Sequence, residues 1–274
     1  MRQIRTFPPV KMLLEEARHG QILSLSCFLL YGCFALDWGQ EMPKFIVLII
    51  TCLSVQMLGT WWVKGDFSSW KSALISGLGL CLLFKTDALW VCMLGAVLTI
   101  GSKFLLRHQG KHIFNPTNFG IIIAILLTKE AYISPGQWGN NAIFVGFLAL
   151  LGTQILLKVK RIETSLVFLG SFLLLEFLRN IVWLGWDFDF FVHQFTSGTL
   201  LLFSFFMITD PVTTPSHRTA RVLWAMLIAV VTYFLIHSYF VNGAPVWALF
   251  FCSWLTPLLD RIWKGEMFVW RVSS

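Results

Sequence analysis

From Ile22 to Leu259 the chain reads as a succession of apolar runs separated by short polar turns. A helical bilayer crossing takes about 20 apolar residues, and packed or re-entrant pieces take fewer. Against that length the pattern predicts seven ordinary segments, roughly 21–36, 45–63, 88–106, 141–157, 165–185, 219–240 and 244–260. Three more are short, at 72–84, 116–128 and 197–209. Two of the short ones are alike. Ser76-Gly77 opens a run that ends at Thr86-Asp87, and Ser197-Gly198 opens one that ends at Thr209-Asp210. Each is the third segment of its half if the chain divides five plus five near residue 135. An odd number of crossings per half inverts the second copy, and short helices at matching places in two halves point to a site at mid-membrane depth.

Basic residues test this count, because they collect in the loops on the cytoplasmic side. Seventeen of the 21 Lys and Arg residues fall in the N-terminal tail and in alternate connections after it. The other connections hold Lys44, Lys85 and Lys129, and Arg179 lies within a segment. The split predicts ten crossings with both termini cytoplasmic. The expected layout is a tail over 1–20, one membrane domain over 21–260 with repeats at about 21–128 and 141–260, and a tail over 261–274. The fold class is an all-α polytopic membrane protein. The first apolar run lacks a small-residue cleavage site, so it is expected to be a retained span.

Composition agrees. Hydrophobic residues make up 57% and charged residues 13%, with a mean hydropathy of +0.73; soluble domains run near 45–50% and 25%. The net charge of +7 follows from the cytoplasmic bias and gives no reason to expect nucleic acid. The six cysteines sit singly in apolar runs with no CxxC pair, so neither a metal centre nor a disulfide framework is expected. No phosphate-binding glycine loop, nucleophile elbow or HExxH motif is present, and no catalytic residue is assigned.

Polar residues inside apolar runs are the candidates for chemistry. Asn115-Pro116-Thr117-Asn118 precedes a short helix and reads either as ordinary helix initiation or as an N-terminus offered to a polar ligand. Asp210 follows the short helix that begins at Ser197-Gly198; there a carboxylate opposes the helix dipole, so it caps the Pro211 turn or meets a cation. Glu176 and Arg179 lie three apart on one helix face, with Asn180 beside them, and read as a structural ion pair or part of an ion path. Ser76, Gly77 and Asp87 are the first-half counterparts. The loop from Ser134 to Gly139 reads as a turn. Asp187, Asp189 and His193 read as a solvated loop, and His237 as a packed or interfacial residue.

Phe114-Asn115-Pro116 together with Ser197-Gly198, Phe205 to Pro211 and Thr213-Thr214-Pro215 resembles the membrane-subunit family that contains RnfD and NqrB. The resemblance covers about residues 70–260. It implies two inverted five-helix repeats of urea-transporter-like architecture, in a subunit of a redox-driven ion pump that carries flavin. It also implies a flavin site drawn from Asn115, Pro116, Asn118, Ser197, Gly198, Thr209 and Asp210. The family attaches FMN through a threonine in an SGAT motif on the outward loop after the Asn-Pro helix. Here that loop reads Ser134-Pro135-Gly136-Gln137-Trp138-Gly139, so covalent FMN is not expected, and FMN or riboflavin would be held non-covalently.

The expected function is therefore electron transfer coupled to Na+ or H+ movement in a bacterial inner-membrane complex, with lipid and other membrane or redox subunits as partners. The alternatives are a stand-alone permease or channel for a small polar solute or ion, and a scaffold that only anchors partners.

Overall fold

The computed structural model describes residues 17–64, 69–134, 138, 142–195 and 197–268. Side chains at 64, 142–145 and 193–195 lie outside that description, as do most of the N-terminal tail and of the 134–139 loop. Among the described residues the regular structure is helical apart from four short strands. In order the chain forms α1 (Ala17–Ala35), a 3-10 turn (Trp38–Glu41), α2 (Met42–Lys64), α3 (Trp70–Leu83), β1 (Phe84–Thr86) and α4 (Leu89–Leu105). The hairpin β2 (Arg107–His108) and β3 (Lys111–His112), α5 (Pro116–Thr128), β4 (Ala131–Ile133) and α6 (Ala142–Val159) follow. Next come α7 (Ile162–Phe177), α8 (Phe188–Phe195), α9 (Gly198–Met207, α-helical over Gly198–Leu202 and π-helical over Phe203–Met207), α10 (Arg218–His237), α11 (Ala244–Ser253) and α12 (Thr256–Ile262).

Among the described residues, three stretches are long and apolar enough to cross a membrane: Trp38–Val63, Ile162–Trp183 and Arg218–His237. Only 22–39% of their most apolar windows is buried within the chain. In water such surface would drive aggregation; it suits lipid or neighbouring subunits. The helices at Trp70–Leu83, Leu89–Leu105, Pro116–Thr128, Gly146–Val159, Gly198–Met207 and Ala244–Ser253 are apolar but shorter. The 244–260 segment, expected as one crossing, is two helices broken at Trp254-Leu255. Pro257 explains the break, because its missing N–H cannot close the helical ladder.

Contacts sort the turns into two ends. At one end the β2–β3 hairpin, the α6–α7 turn, the 208–217 turn and α12 meet, through Lys111–Asp260 (2.7 Å), Arg161–Thr214 (3.2 Å) and Arg221–Glu163. This end carries most of the basic residues. At the other, Trp38 packs on Trp138 (4.8 Å between ring centres), Gly198 lies against Trp138, and Gly243 against Ile133. There β1 pairs antiparallel with β4, which gives main-chain groups beyond the short α3 and α5 their hydrogen bonds.

These end contacts fix helix directions. α2 and α4 run parallel, tied by Lys44–Asp87 (3.5 Å) near their starts and by Gly59 against Phe104 near their ends. α7 and α10 also run parallel, tied by Glu163–Arg221 at their starts and Glu176–His237 at their ends. α3 runs from the basic end, where Ser72 meets Lys103, to the strands; α9 runs from Trp138 back to Asn115. The two serine–glycine helices therefore point in opposite senses.

Helix contact is closest between α4 and α5. A Cβ on Gly120 would fall 1.8 Å from the Thr99 hydroxyl and 2.8 Å from the Gly95 carbonyl oxygen. Small residues allow this approach, the usual means of joining helices where lipid gives no hydrophobic drive.

Candidate functional site

A cavity of about 530 Å3 opens among α1 to α6 and α9 on the basic side. Its position follows from the short helices: α3, α5 and α9 each put one end into the bundle, where a full-length helix would have filled the space. At the start of α5 the Asn115 side chain caps the helix by accepting the Asn118 N–H (3.1 Å), a bond worth about 1 kcal/mol, and Pro116 supplies the first-turn φ. The Asn115 amide donates across to the Met207 carbonyl (3.3 Å) and to Asp210 Oδ2 (3.4 Å). The start of α5 is thereby joined to the end of α9.

Between Phe203 and Met207, α9 widens into π-helical turns, closed by the Ile208 N–H bonding the Phe203 carbonyl. Such turns recur at functional sites, and here they bring Phe205 and Phe206 to the cavity wall. Asp210 then turns the chain: its Oδ1 accepts the Val212 N–H (3.1 Å) and its carbonyl accepts those of Thr213 and Thr214.

Arg18, Lys103 and Arg107 line this cavity, and Asp210 is the one carboxylate among its described lining residues. Lys103 is only 5% exposed; its ammonium donates to the Ser72 carbonyl (2.9 Å) and hydroxyl (3.1 Å). The carboxylate that opposes the α9 dipole is thus answered by cations across the cavity. His112, in the hairpin, adds no charge near neutral pH, because burial, then Arg107 and Lys103, push it down to about 4. Gln56 and Thr60, one helical turn apart on α2, complete the polar wall. The Gln56 side-chain amide oxygen Oε1 is buried with no hydrogen-bond partner among the described residues.

The residues expected from sequence are dispersed. Asn115, Pro116, Thr209, Asp210 and Ser76 line the cavity together. Asn118 stands one turn behind, donating to the Val246 carbonyl (2.6 Å) and so joining α5 to α11. Ser197 and Gly198 lie at the far end of α9, where Gly198 makes room for Trp138. Gly77 faces away from the cavity, packed on Ile49 of α2. The Asp87 side chain is 96% exposed, paired loosely with Lys44.

The Glu176–Arg179 pairing is corrected. Glu176, 1% exposed, bonds His237 (2.6 Å) through Oε1 and accepts the Asn180 amide (3.0 Å) through Oε2. Arg179 instead donates to Asn180 Oδ1 (3.2 Å) and lies over the Trp186 ring. The helix changes to π-helical turns at Leu178–Trp183, which carries Arg179 off the Glu176 face and leaves Asn180 on it. The acidic stretch expected as a solvated loop forms helix α8 from Phe188, with the His193 side chain outside the described residues.

Sequence reasoning missed Lys103 and Gln56, and it read His237 as packed or interfacial without placing it on Glu176. Lys103 sits at a helix end and counted as one more loop cation. His237 and Glu176 are 61 residues apart, and nothing local links them. The i, i+4 polar pairs Gln56/Thr60 and Glu176/Asn180, each inside an apolar run, were the available signal.

The family model described as the NQR2, RnfD, RnfE family matches residues 123–268, more than half of the chain. No curated protein sequence matches it.

Proposed function

This chain belongs to the NQR2, RnfD, RnfE family, the membrane subunits of Rnf/Nqr-type complexes, and from that premise we propose that it supports electron transfer coupled to Na+ or H+ movement. We read the fold as ten crossings in two inverted five-helix repeats, in the bacterial inner membrane, with the basic end and both termini cytoplasmic. Support comes from the parallel pairs α2/α4 and α7/α10 and from the opposed senses of α3 and α9. Other membrane or redox subunits, and lipid, cover the apolar outer surface.

The observation that carries the reading is the cavity with Asp210 as the one carboxylate among its described lining residues. A mobile cation entering from the basic side meets Asp210, already countered by Lys103, Arg18 and Arg107, so its residence there depends on the charge state of whatever shares the cavity. The residues present fit a flavin: two phenylalanines and the Gln56 side-chain amide oxygen, unpartnered among the described residues, offer a ring site with a polar edge, and Arg18 and Arg107 suit an FMN phosphate. Riboflavin or FMN held there non-covalently would supply a one- or two-electron carrier. Asn115 would hold the ring edge in place, and Asp210 would hold the cation.

Purification of the chain with its partner subunits tests this. Flavin absorption that is released on denaturation, and donor-dependent uptake of Na+ or H+ into proteoliposomes, are expected. A colourless chain that alone carries a small polar solute across liposomes would overturn the reading in favour of a permease that uses the same cavity.

A further inference from the structure

We propose that a second pocket, about 350 Å3 between the β2–β3 hairpin and α12, seats the phosphate of an anionic phospholipid headgroup. The inference stands apart from the electron-transfer reading, since none of its residues needs the main cavity to be occupied.

The described residues of the pocket carry more positive than negative charge: Lys111, Arg261 and Lys264 against Asp260. Lys111 is spent: its ammonium bonds Asp260 (2.7 Å), the Ser216 hydroxyl (3.3 Å) and the Thr214 carbonyl. Asp260 is spent too, since its second oxygen accepts the Ser216 N–H (2.7 Å). That clasp ties α12 to the hairpin and to the 216 turn, and among the described residues it leaves Arg261 and Lys264 as the charges on the wall with no ion-pair partner. The rim is fixed as well: a Cβ on Gly265 would fall 2.7 Å from the His217 nitrogen, so the chain carrying Lys264 lies directly on the 216–217 backbone.

Two further groups point to a ligand rich in acceptors. Thr256 lines the pocket at 2% exposure, and its hydroxyl has no hydrogen-bond partner among the described residues. His112, shared with the main cavity, likewise has a buried Nδ1 with no partner there. Leaving such groups unpaired costs about 1–3 kcal/mol each, so a phosphate oxygen that accepts from them is favoured.

The lipid source follows from the surroundings. Leu258 and Ile262 of α12 are exposed by 53% and 58% beside the pocket, and Trp254 stands exposed just before them. A short helix with an apolar outer face and basic residues at its polar edge suits the headgroup level of a bilayer. Acyl chains lie along Leu258 and Ile262, and the phosphate enters between Arg261 and Lys264.

Native mass spectrometry of the purified full chain in detergent, with short-chain phosphatidylglycerol or phosphatidylcholine added, tests the site. Phosphatidylglycerol is expected to be retained at least about tenfold better, and Arg261→Gln with Lys264→Gln to remove that advantage about tenfold or more. Lys71→Gln with Lys160→Gln removes as much charge at the same end and is expected to change retention less than about twofold. Thr256→Val is expected to weaken it severalfold. Equal retention of the two lipids, or equal loss in both double variants, overturns the proposal. Displacement of the lipid by millimolar inorganic phosphate overturns the lipid assignment and leaves a free-anion site.

Discussion

Replacing His237 with leucine is expected to destabilise the protein by about 2–5 kcal/mol, because it strands a carboxyl group in the helix bundle. Glu176 is 1% exposed and bonded to His237 and Asn180. Removing one partner of a buried polar pair leaves the other's desolvation uncompensated, at about 1–3 kcal/mol for neutral groups and 3–5 kcal/mol for ions. Replacing both partners with leucine is expected to recover most of the loss, since apolar residues of similar volume need no partner. The comparison is a double-mutant cycle read by thermal or denaturant unfolding in detergent. A coupling of several kcal/mol between Glu176→Leu and His237→Leu is the predicted result, and strict additivity would contradict the pairing. The loss is expected in unfolding, because the pair latches the outer ends of the parallel α7 and α10.

The second large effect is functional. Asp210→Asn keeps a side-chain oxygen to accept the Val212 N–H and so keeps the turn, but it removes the carboxylate that the described residues bring to the main cavity. Ion-coupled turnover is expected to fall about a hundredfold, equal to roughly 2.7 kcal/mol, an amount one charge a few ångströms away supplies at a partly buried site. Asp210→Ala is expected to lose the turn bond as well, with a further fall in stability of about 1 kcal/mol. Transport assays on the assembled complex, paired with unfolding of the purified chain, separate the two. If Asp210→Asn kept full coupled activity, the cavity's carboxylate would have no part in cation movement.

Much of this architecture was legible in the chain, for physical reasons. Basic residues mark alternate turns, and apolar length marks segments, so the short α3, α5 and α9 stood out within a few residues of their ends. The Asn115-Pro116 start was legible because capping is local. What was not legible depends on rotation and distance. Three-residue spacing put Glu176 with Arg179, yet a change of helical pitch at Leu178 put Asn180 there, and packing put His237 opposite. The apolar run from 244 to 260 gave no sign that Pro257 opens a separate helix carrying Asp260. Lys103 reads as a loop cation until the packing of α4 on α3 is known. The paired Ser-Gly signals separated for the same reason: in α3 the serine reaches the cavity, and in α9 the glycine serves Trp138 at the opposite end.

The claim on which cavity, topology and coupling all depend is that α3 and α9 start at opposite membrane faces. Side-specific thiol labelling measures it, with Ser72→Cys and Ser197→Cys placed singly in a background in which the six native cysteines are replaced. A membrane-impermeant maleimide is predicted to label position 72 only from the cytoplasmic side and position 197 only from the other. Labelling of both positions from the same side would contradict it.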